Sequence, residues 1–139
     1  MNDGRGGQLR PIGWVRSSLT EVATAPRQGD EGAPDAIVVL NDEVLPGADD
    51  LRAGDEIIVV TWLDRARRDV LVVHPRDDDH RPLRGVFSTR SADRPNPIGL
   101  HRVTILSIDG PTICVSNLEA VDGTPVIDIK PVLEPINER

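Results

Sequence analysis

The chain has 139 residues and a formal net charge of −7, which suits one domain with a core and argues against a protein that coats nucleic acid through charge alone. Its single cysteine, Cys114, excludes an intrachain disulfide and favours a reducing, cytoplasmic location. No apolar run approaches the ~20 residues that cross a bilayer and no secretory leader follows Met1, so we expect no membrane association.

The first quarter of the chain predicts two strands. Residues 1–10 are polar and glycine-rich and predict a flexible tail, whereas 11–139 predict a single domain. Pro11–Val15 predicts the first strand and Ile37–Leu40 the second. Prolines, glycines and charges over 24–35 predict a loop between them.

The middle of the chain predicts two buried strands separated by charged loops. Asn41–Gly54 reads as a loop with one helical turn near Asp49–Arg52. Runs rich in β-branched residues predict strands at Ile57–Leu63 and Val70–His74. A polar loop follows over Pro75–Arg84.

The last third predicts a hairpin and a final strand. Val103–Ile108 and Thr112–Leu118 flank an Asp-Gly turn, and Val126–Ile129 predicts the last strand. No segment keeps a 3.6-residue apolar period. The fold class that we expect is therefore all-β, a single β-barrel-like domain with few short helical turns.

One segment combines arginines with prolines. Two prolines stiffen Thr89–Leu100 and hold it extended, which presents Arg90, Arg94 and Asn96. An arginine fork suits a carboxylate or phosphate, and an asparagine can pair with an adenine edge. A solvated turn whose arginines form surface ion pairs explains the same spacing equally well.

A second segment places an acid beside a base. On a strand, Asp128 and Lys130 share one face, where an acid could orient or deprotonate an amine. On spacing alone a surface ion pair is the favoured interpretation. The run around Arg27 and Gln28 by itself indicates only a loop.

Several other kinds of site are not indicated. The histidines His74, His80 and His101 lack metal-ligand spacing, so we expect no metal site. No G-x-S-x-G motif, P-loop or G-x-G-x-x-G turn is present, so acyl transfer and a doubly wound nucleotide fold are not supported.

Two long stretches resemble a known family. Residues 85–100, GVFSTRSADRPNPIGL, resemble the first signature of the TsaA/TrmO-like family of tRNA N6-threonylcarbamoyladenosine methyltransferases. Residues 122–131, DGTPVIDIKP, resemble its second signature, and residues 26–28 match its N-terminal PRQ. The likeness runs from about Pro11 to Pro131.

The resemblance implies a β-barrel-like fold, a homodimer and S-adenosyl-L-methionine as cofactor. The implied reaction is methylation of N6 of threonylcarbamoyladenosine next to the tRNA anticodon. Larger family members carry a further C-terminal domain, so the sequence, which ends at Arg139, is expected to correspond to the short form.

The resemblance also implies site residues. Either Arg90 or Arg94 would hold the carboxylate of the cofactor, Asp128 would orient or deprotonate the accepting amine, and Lys130 would set the charge of Asp128. Substrate would meet Arg27 and Gln28. The expected cofactor-binding set is Arg90, Ser91, Arg94, Asn96, Ile98, Gly99, Leu100, Asp122 and Thr124.

Two departures from the family pattern leave the methyl acceptor open. Gly54-Asp55-Glu56 stands where the family commonly has Phe-Ser-His, and Val132 stands where it has tyrosine. With few aromatic side chains to stack on bases, a small metabolite is an alternative acceptor to tRNA. A non-catalytic module that binds S-adenosylmethionine is the alternative of a different class.

Overall fold

A computed structural model describes residues 6–20, 33–75 and 79–133 of the chain. Short 3-10 helices lie among its strands, at Asp42–Ala48 and Val86–Ser88. The strands in chain order are β1 Gly13–Arg16, β2 Ala36–Leu40, β3 Glu56–Trp62, β4 Val72–Val73, β5 Arg84–Gly85, β6 Ile98–Asp109, β7 Thr112–Val115 and β8 Pro125–Pro131.

Six of these strands close into a barrel in the order β1-β2-β7-β6-β3-β8, with every neighbouring pair antiparallel. The remaining two, β4 and β5, pair with each other in a separate two-stranded sheet. The all-β, barrel-like fold predicted from the sequence is confirmed. No helix in the described ranges is long and apolar enough to span a membrane.

The barrel is filled by side chains that alternate along each strand. On β6, Gly99, His101, Val103 and Ile105 are buried while their neighbours face outward, because successive residues of a strand point to opposite faces of the sheet. Each valine or isoleucine that is fully buried contributes about 1.5–3 kcal/mol. The hydrophobic core consists of Val15, Ala36, Val38, Leu40, Ile57, Val59, Val103, Ile105, Ile113, Val115, Leu118, Ala120 and Val126.

Strand β6 begins five residues earlier than the sequence predicted, at Ile98 instead of Val103. The prolines before Ile98 and the glycine at position 99 interrupt the pattern of β-branched residues, so the sequence did not predict a strand there. Pairing with β3 extends this strand, since Ile98 lies opposite Trp62 and Thr104 opposite Glu56. The C-terminal end of the arginine-rich segment is therefore part of the barrel wall.

Other boundaries also differ from the prediction, most of them by one or two residues. The predicted strand Val70–His74 shrinks to β4, because only β5 pairs with it. The helical turn lies at Asp42–Ala48 and not near Asp49–Arg52. Strand β7 ends at Val115, before Asn117, whose φ of 48° is incompatible with a strand.

The Asp-Gly hairpin between β6 and β7 is confirmed, with Gly110 at a φ of 57°. Its two strands have unequal lengths of 12 and 4 residues. Their pairing covers Ile105 to Asp109 on β6 and continues by one step through Ser116 and Thr104. Among the described residues, 98–103 thus have a strand partner only on the β3 side. The barrel wall is open along this edge.

We predict that Gly13→Ala destabilises the barrel by about 3 kcal/mol, the upper part of the usual overpacking range. A Cβ at Gly13 would lie 2.1 Å from the backbone oxygen of Val39, which the β1–β2 pairing holds in place. Urea denaturation measures the loss. Gly47→Ala is the matched control, because nothing lies within 4 Å of its added Cβ. Equal stability of the two variants would contradict this packing.

Candidate functional site

A cleft of about 1560 Å³ lies along the open edge of β6. Its walls are mainly residues 63–66, 87–94 and 98–104, together with the loop that follows β7. Sites for one small molecule usually measure ~300–1,000 Å³, so the cleft is large enough to hold a small-molecule ligand. The polar and charged side chains that line it are the candidates for chemistry.

Arg94 links the arginine-rich segment to the 3-10 helix that precedes it. Its Nη2 donates to the carbonyl oxygens of Val86 and Thr89, the latter at 2.8 Å. Its Nε–H is buried without a partner among the described residues. Because its bonds go to the backbone oxygens of Val86 and Thr89, Arg94 shapes the cleft wall and is less available to a ligand than Arg90.

Arg90 presents a free guanidinium in the cleft. The side chain is exposed, lines the cleft and has no hydrogen-bond or ion-pair partner within the described ranges. Ser91 lies beside it, with its backbone N–H bonded to the Thr89 hydroxyl and its own hydroxyl bonded to the Asp93 carbonyl. Of the two arginines predicted to hold a carboxylate, the geometry favours Arg90.

Arg68 supports the proline-rich segment from the loop after β3. Its Nε donates to the Pro95 carbonyl at 2.7 Å and its Nη2 to Asn96 Oδ1 at 3.0 Å. The guanidinium carbon also lies 5.1 Å from the centre of the Trp62 ring, within cation–π range. Since Arg68 occupies the amide oxygen of Asn96, the amide NH₂ of Asn96 remains available to donate.

The same loop holds the segment at two further points. Arg67 N–H donates to Asp93 Oδ1, and Arg94 N–H donates to the Arg67 carbonyl. The Arg67 guanidinium also pairs with Asp69 at 3.1 Å, and its hydrogen bonds lower the pKa of that exposed carboxyl. Loop and segment therefore form one wall of the cleft.

A buried polar cluster lies at the base of the cleft. His101 Nε2 is 2.7 Å from the Thr61 hydroxyl, and Nδ1 is 2.5 Å from Glu119 Oε1. Thr61 is fully buried, His101 is 4% exposed and the Glu119 side chain is 14% exposed. A carboxylate only accepts, so Nδ1 carries a proton, and in the neutral ring Nε2 accepts from Thr61.

Gly99 has no side chain, and this leaves space for the Thr61–His101–Glu119 cluster. A Cβ there would lie 2.5 Å from Thr61 Oγ1 and 2.7 Å from His101 Nε2. Its flanking residues on β6, Ile98 and Leu100, are exposed on the outer side of the strand. The predicted run Ile98, Gly99 and Leu100 does line the cleft.

The predicted residues of the second signature divide into two groups. Thr124 is buried and lines the cleft, with its hydroxyl bonded to the Val121 carbonyl. Asp122 binds the backbone N–H of Ser17 and thereby ties the loop to the end of β1. Neither Asp122 nor Asn96 is part of the cleft lining, although Asn96 adjoins it.

Asp128 and Lys130 lie on β8, separated from β6 by β3. Their side chains form an ion pair at 3.0 Å and are about half to two-thirds exposed. The structure brings these two predicted catalytic residues together but does not place them in the cleft lining. The predicted substrate residues Arg27 and Gln28 lie outside the described residues.

Comparison with known proteins identifies the family. The profile of the tRNA-methyltransferase O N-terminal domain matches residues 14–138. The chain belongs to this family. The resemblance inferred from residues 85–100 and 122–131 is thereby confirmed.

Two relatives of the chain come from archaea. A protein of Methanothermobacter thermautotrophicus is 43% identical over 94% of this chain and 93% of its own length. A protein of Archaeoglobus fulgidus is 44% identical over 89% of this chain, which spans only 33% of that relative. Both are named "Probable S-adenosyl-L-methionine-binding protein", in agreement with the predicted cofactor.

A solved structure of TrmO from Pseudomonas aeruginosa has the same fold. It superposes with a TM-score of 0.73 at 27% sequence identity. The match covers 96% of this chain and 57% of the TrmO chain, so the family domain corresponds to little more than half of that protein.

Sequence reasoning missed Arg68 and the Thr61–His101–Glu119 cluster of this family member. Arg68 lies 27 residues from Pro95 in the chain, and Thr61 lies 40 residues from His101. Thr61 and His101 could have been linked only through the register of β3 and β6. In that register Thr61 lies opposite Gly99, two residues before His101. That register required β6 to begin at Ile98.

We predict that Arg68→Ala loosens the arginine-rich segment without unfolding the barrel. Two hydrogen bonds to Pro95 and Asn96 are lost, each worth about 1 kcal/mol. Amide hydrogen exchange across residues 93–98 should rise about tenfold or more, while exchange in β2 and β7 stays constant. The control Arg102→Ala removes only an exposed ion pair with Glu56. Similar exchange in both variants would rule out a supporting role for Arg68.

Proposed function

We propose that this protein is an S-adenosylmethionine-dependent methyltransferase that acts on tRNA, at N6 of threonylcarbamoyladenosine next to the anticodon. The observation that carries the proposal is the unpaired guanidinium of Arg90 on a held segment at the rim of a cleft. The family and the names of its relatives give the cofactor, and the family description supports a tRNA acceptor.

Side chains that line the cleft, together with Asn96 beside it, fit the chemical groups of this cofactor. Arg90 offers parallel donors for the carboxylate. The free NH₂ of Asn96 can donate to an acceptor on adenine or ribose. The Glu119 carboxylate can accept from a donor on the cofactor. Phe87 lines the cleft with its side chain 82% exposed and provides a ring on which a base can stack.

The mechanism relies on positioning. The cofactor, when bound, would supply a methyl group that its sulfonium already activates. Arg90, Ser91 and Thr124 orient the ligand, and the open edge of β6 offers backbone N–H and C=O groups over 98–100. Arg68 and Arg94 keep the wall in place, which lowers the entropy cost of binding.

We predict that Arg90→Ala lowers S-adenosylmethionine affinity by about tenfold, because a charge-assisted pair is lost. Calorimetry measures the affinity, and transfer of a labelled methyl group to bulk tRNA measures the activity. Arg16→Ala is the matched control, since Arg16 is exposed on β1 and lies outside the cleft lining. Equal losses in the two variants would reject the cleft as the cofactor site.

Asp128 and Lys130 remain our proposed catalytic pair. Their position on β8 requires the acceptor to approach the outer face of the barrel. We predict that Asp128→Asn lowers the methylation rate at least ~30-fold while cofactor affinity stays constant, as for loss of a general base. Asp109→Asn, at an exposed acid of the β6–β7 turn, is the control. A wild-type rate for Asp128→Asn would remove Asp128 from the mechanism.

A small-metabolite acceptor is the second candidate, favoured by the net charge of −7, which repels a polyanion. The same labelled assay with a metabolite extract in place of tRNA separates the two acceptors. Cofactor binding without transfer to either acceptor would favour a non-catalytic binding module.

We further propose that the protein acts as a cytoplasmic homodimer, as the resemblance and the single cysteine suggest. Support comes from apolar side chains around β4 and β5 that are more than half exposed, namely Leu71, Val72 and Leu83. Exposed apolar patches on soluble proteins often mark interfaces.

A further inference from the structure

The Thr61–His101–Glu119 cluster has a geometry that filling the barrel does not require. A hydroxyl, an imidazole and a carboxylate are aligned through the two ring nitrogens, at 2.7 and 2.5 Å. A hydrophobic side chain at each position would fill the same space without any polar group to satisfy. The cluster instead fixes the orientation of one carboxylate.

Glu119 has one oxygen without a partner among the described residues. Its Oε1 accepts from His101, whereas no described residue donates to Oε2. Oε2 is not among the buried polar atoms that lack a partner, so solvent reaches it. Because Glu119 lines the cleft, this oxygen is available to a ligand there.

We propose that Thr61 and His101 form a relay that aims Glu119 Oε2 at an N–H or O–H donor of the ligand in the cleft. The inference rests on the proposed function, since S-adenosylmethionine is the ligand considered. His101 is a positioning residue that acts through Glu119. The Glu119 carboxylate keeps the proton on Nδ1 because it only accepts, and the Thr61 hydroxyl holds the ring in place by donating to Nε2.

Two substitutions at His101 separate positioning from packing. Asparagine carries its amide nitrogen near the place of Nδ1 and can still donate to Glu119, whereas glutamine carries it near Nε2 and reaches Thr61 instead. Each variant keeps one of the two contacts, so similar melting temperatures are expected. A purely structural role would give similar affinities as well.

The experiment is calorimetry of S-adenosylmethionine binding to wild type, His101→Asn and His101→Gln. We expect His101→Asn to bind within about threefold of wild type and His101→Gln to bind about tenfold or more weakly, since a misaligned acid forms a poor hydrogen bond. Equal affinities of the two variants, with normal wild-type binding, overturn the relay alone. No binding by wild-type protein overturns the proposed function and this inference with it.

A second pair of variants at Thr61 covers the case in which a His101 variant does not fold. Thr61→Ser keeps the hydroxyl and should bind like wild type, whereas Thr61→Val keeps the shape and should bind about threefold or more weakly. Equal binding by both overturns the relay.

Repeating the titrations with 5′-methylthioadenosine locates the donor. A His101→Gln loss that persists with this compound places the donor on the nucleoside. A loss seen only with S-adenosylmethionine places it on the amino-acid end.

Discussion

The unequal lengths of β6 and β7 are the constraint on which the site depends. A barrel closes when every strand edge is paired, and here β7 ends at Val115 while β6 continues back to Ile98. The loop that follows β7 covers the interior without pairing along the whole edge. Backbone groups at the start of β6 are thereby left without a strand partner on the side where the cleft lies.

The wall opposite this edge is held by arginines acting as donors to backbone carbonyls. Arg94 and Arg68 bond to Val86, Thr89 and Pro95. A guanidinium has five N–H donors in a fixed plane, so it can fasten several turns of an irregular segment that has no strand partner. Arg68 and Arg94 thus serve structure, whereas Arg90, which also lines the cleft, is available for recognition.

The sequence predicted the barrel and most strands because β-branched runs and turn signals dominate there. It also predicted the arginine-rich segment as the centre of the site, and the family match confirms the resemblance behind that prediction. It did not separate Arg90 from Arg94, because their difference lies in which carbonyls each can reach. Nor could it find Thr61 and His101, since a threonine in a β-rich run and a histidine without metal spacing carry no local signal.

The separate β4–β5 sheet gives the cleft two walls of different stability. A two-stranded sheet is marginal in water by itself, whereas the barrel strands share a continuous core. Local opening therefore costs less free energy on the side of Val73, His74 and Arg84 than on the side of β6. A ligand that contacts both walls would lie against a rigid wall at β6 and a more mobile wall at β4 and β5. Its binding would reduce the motion of the β4–β5 sheet more than that of the barrel.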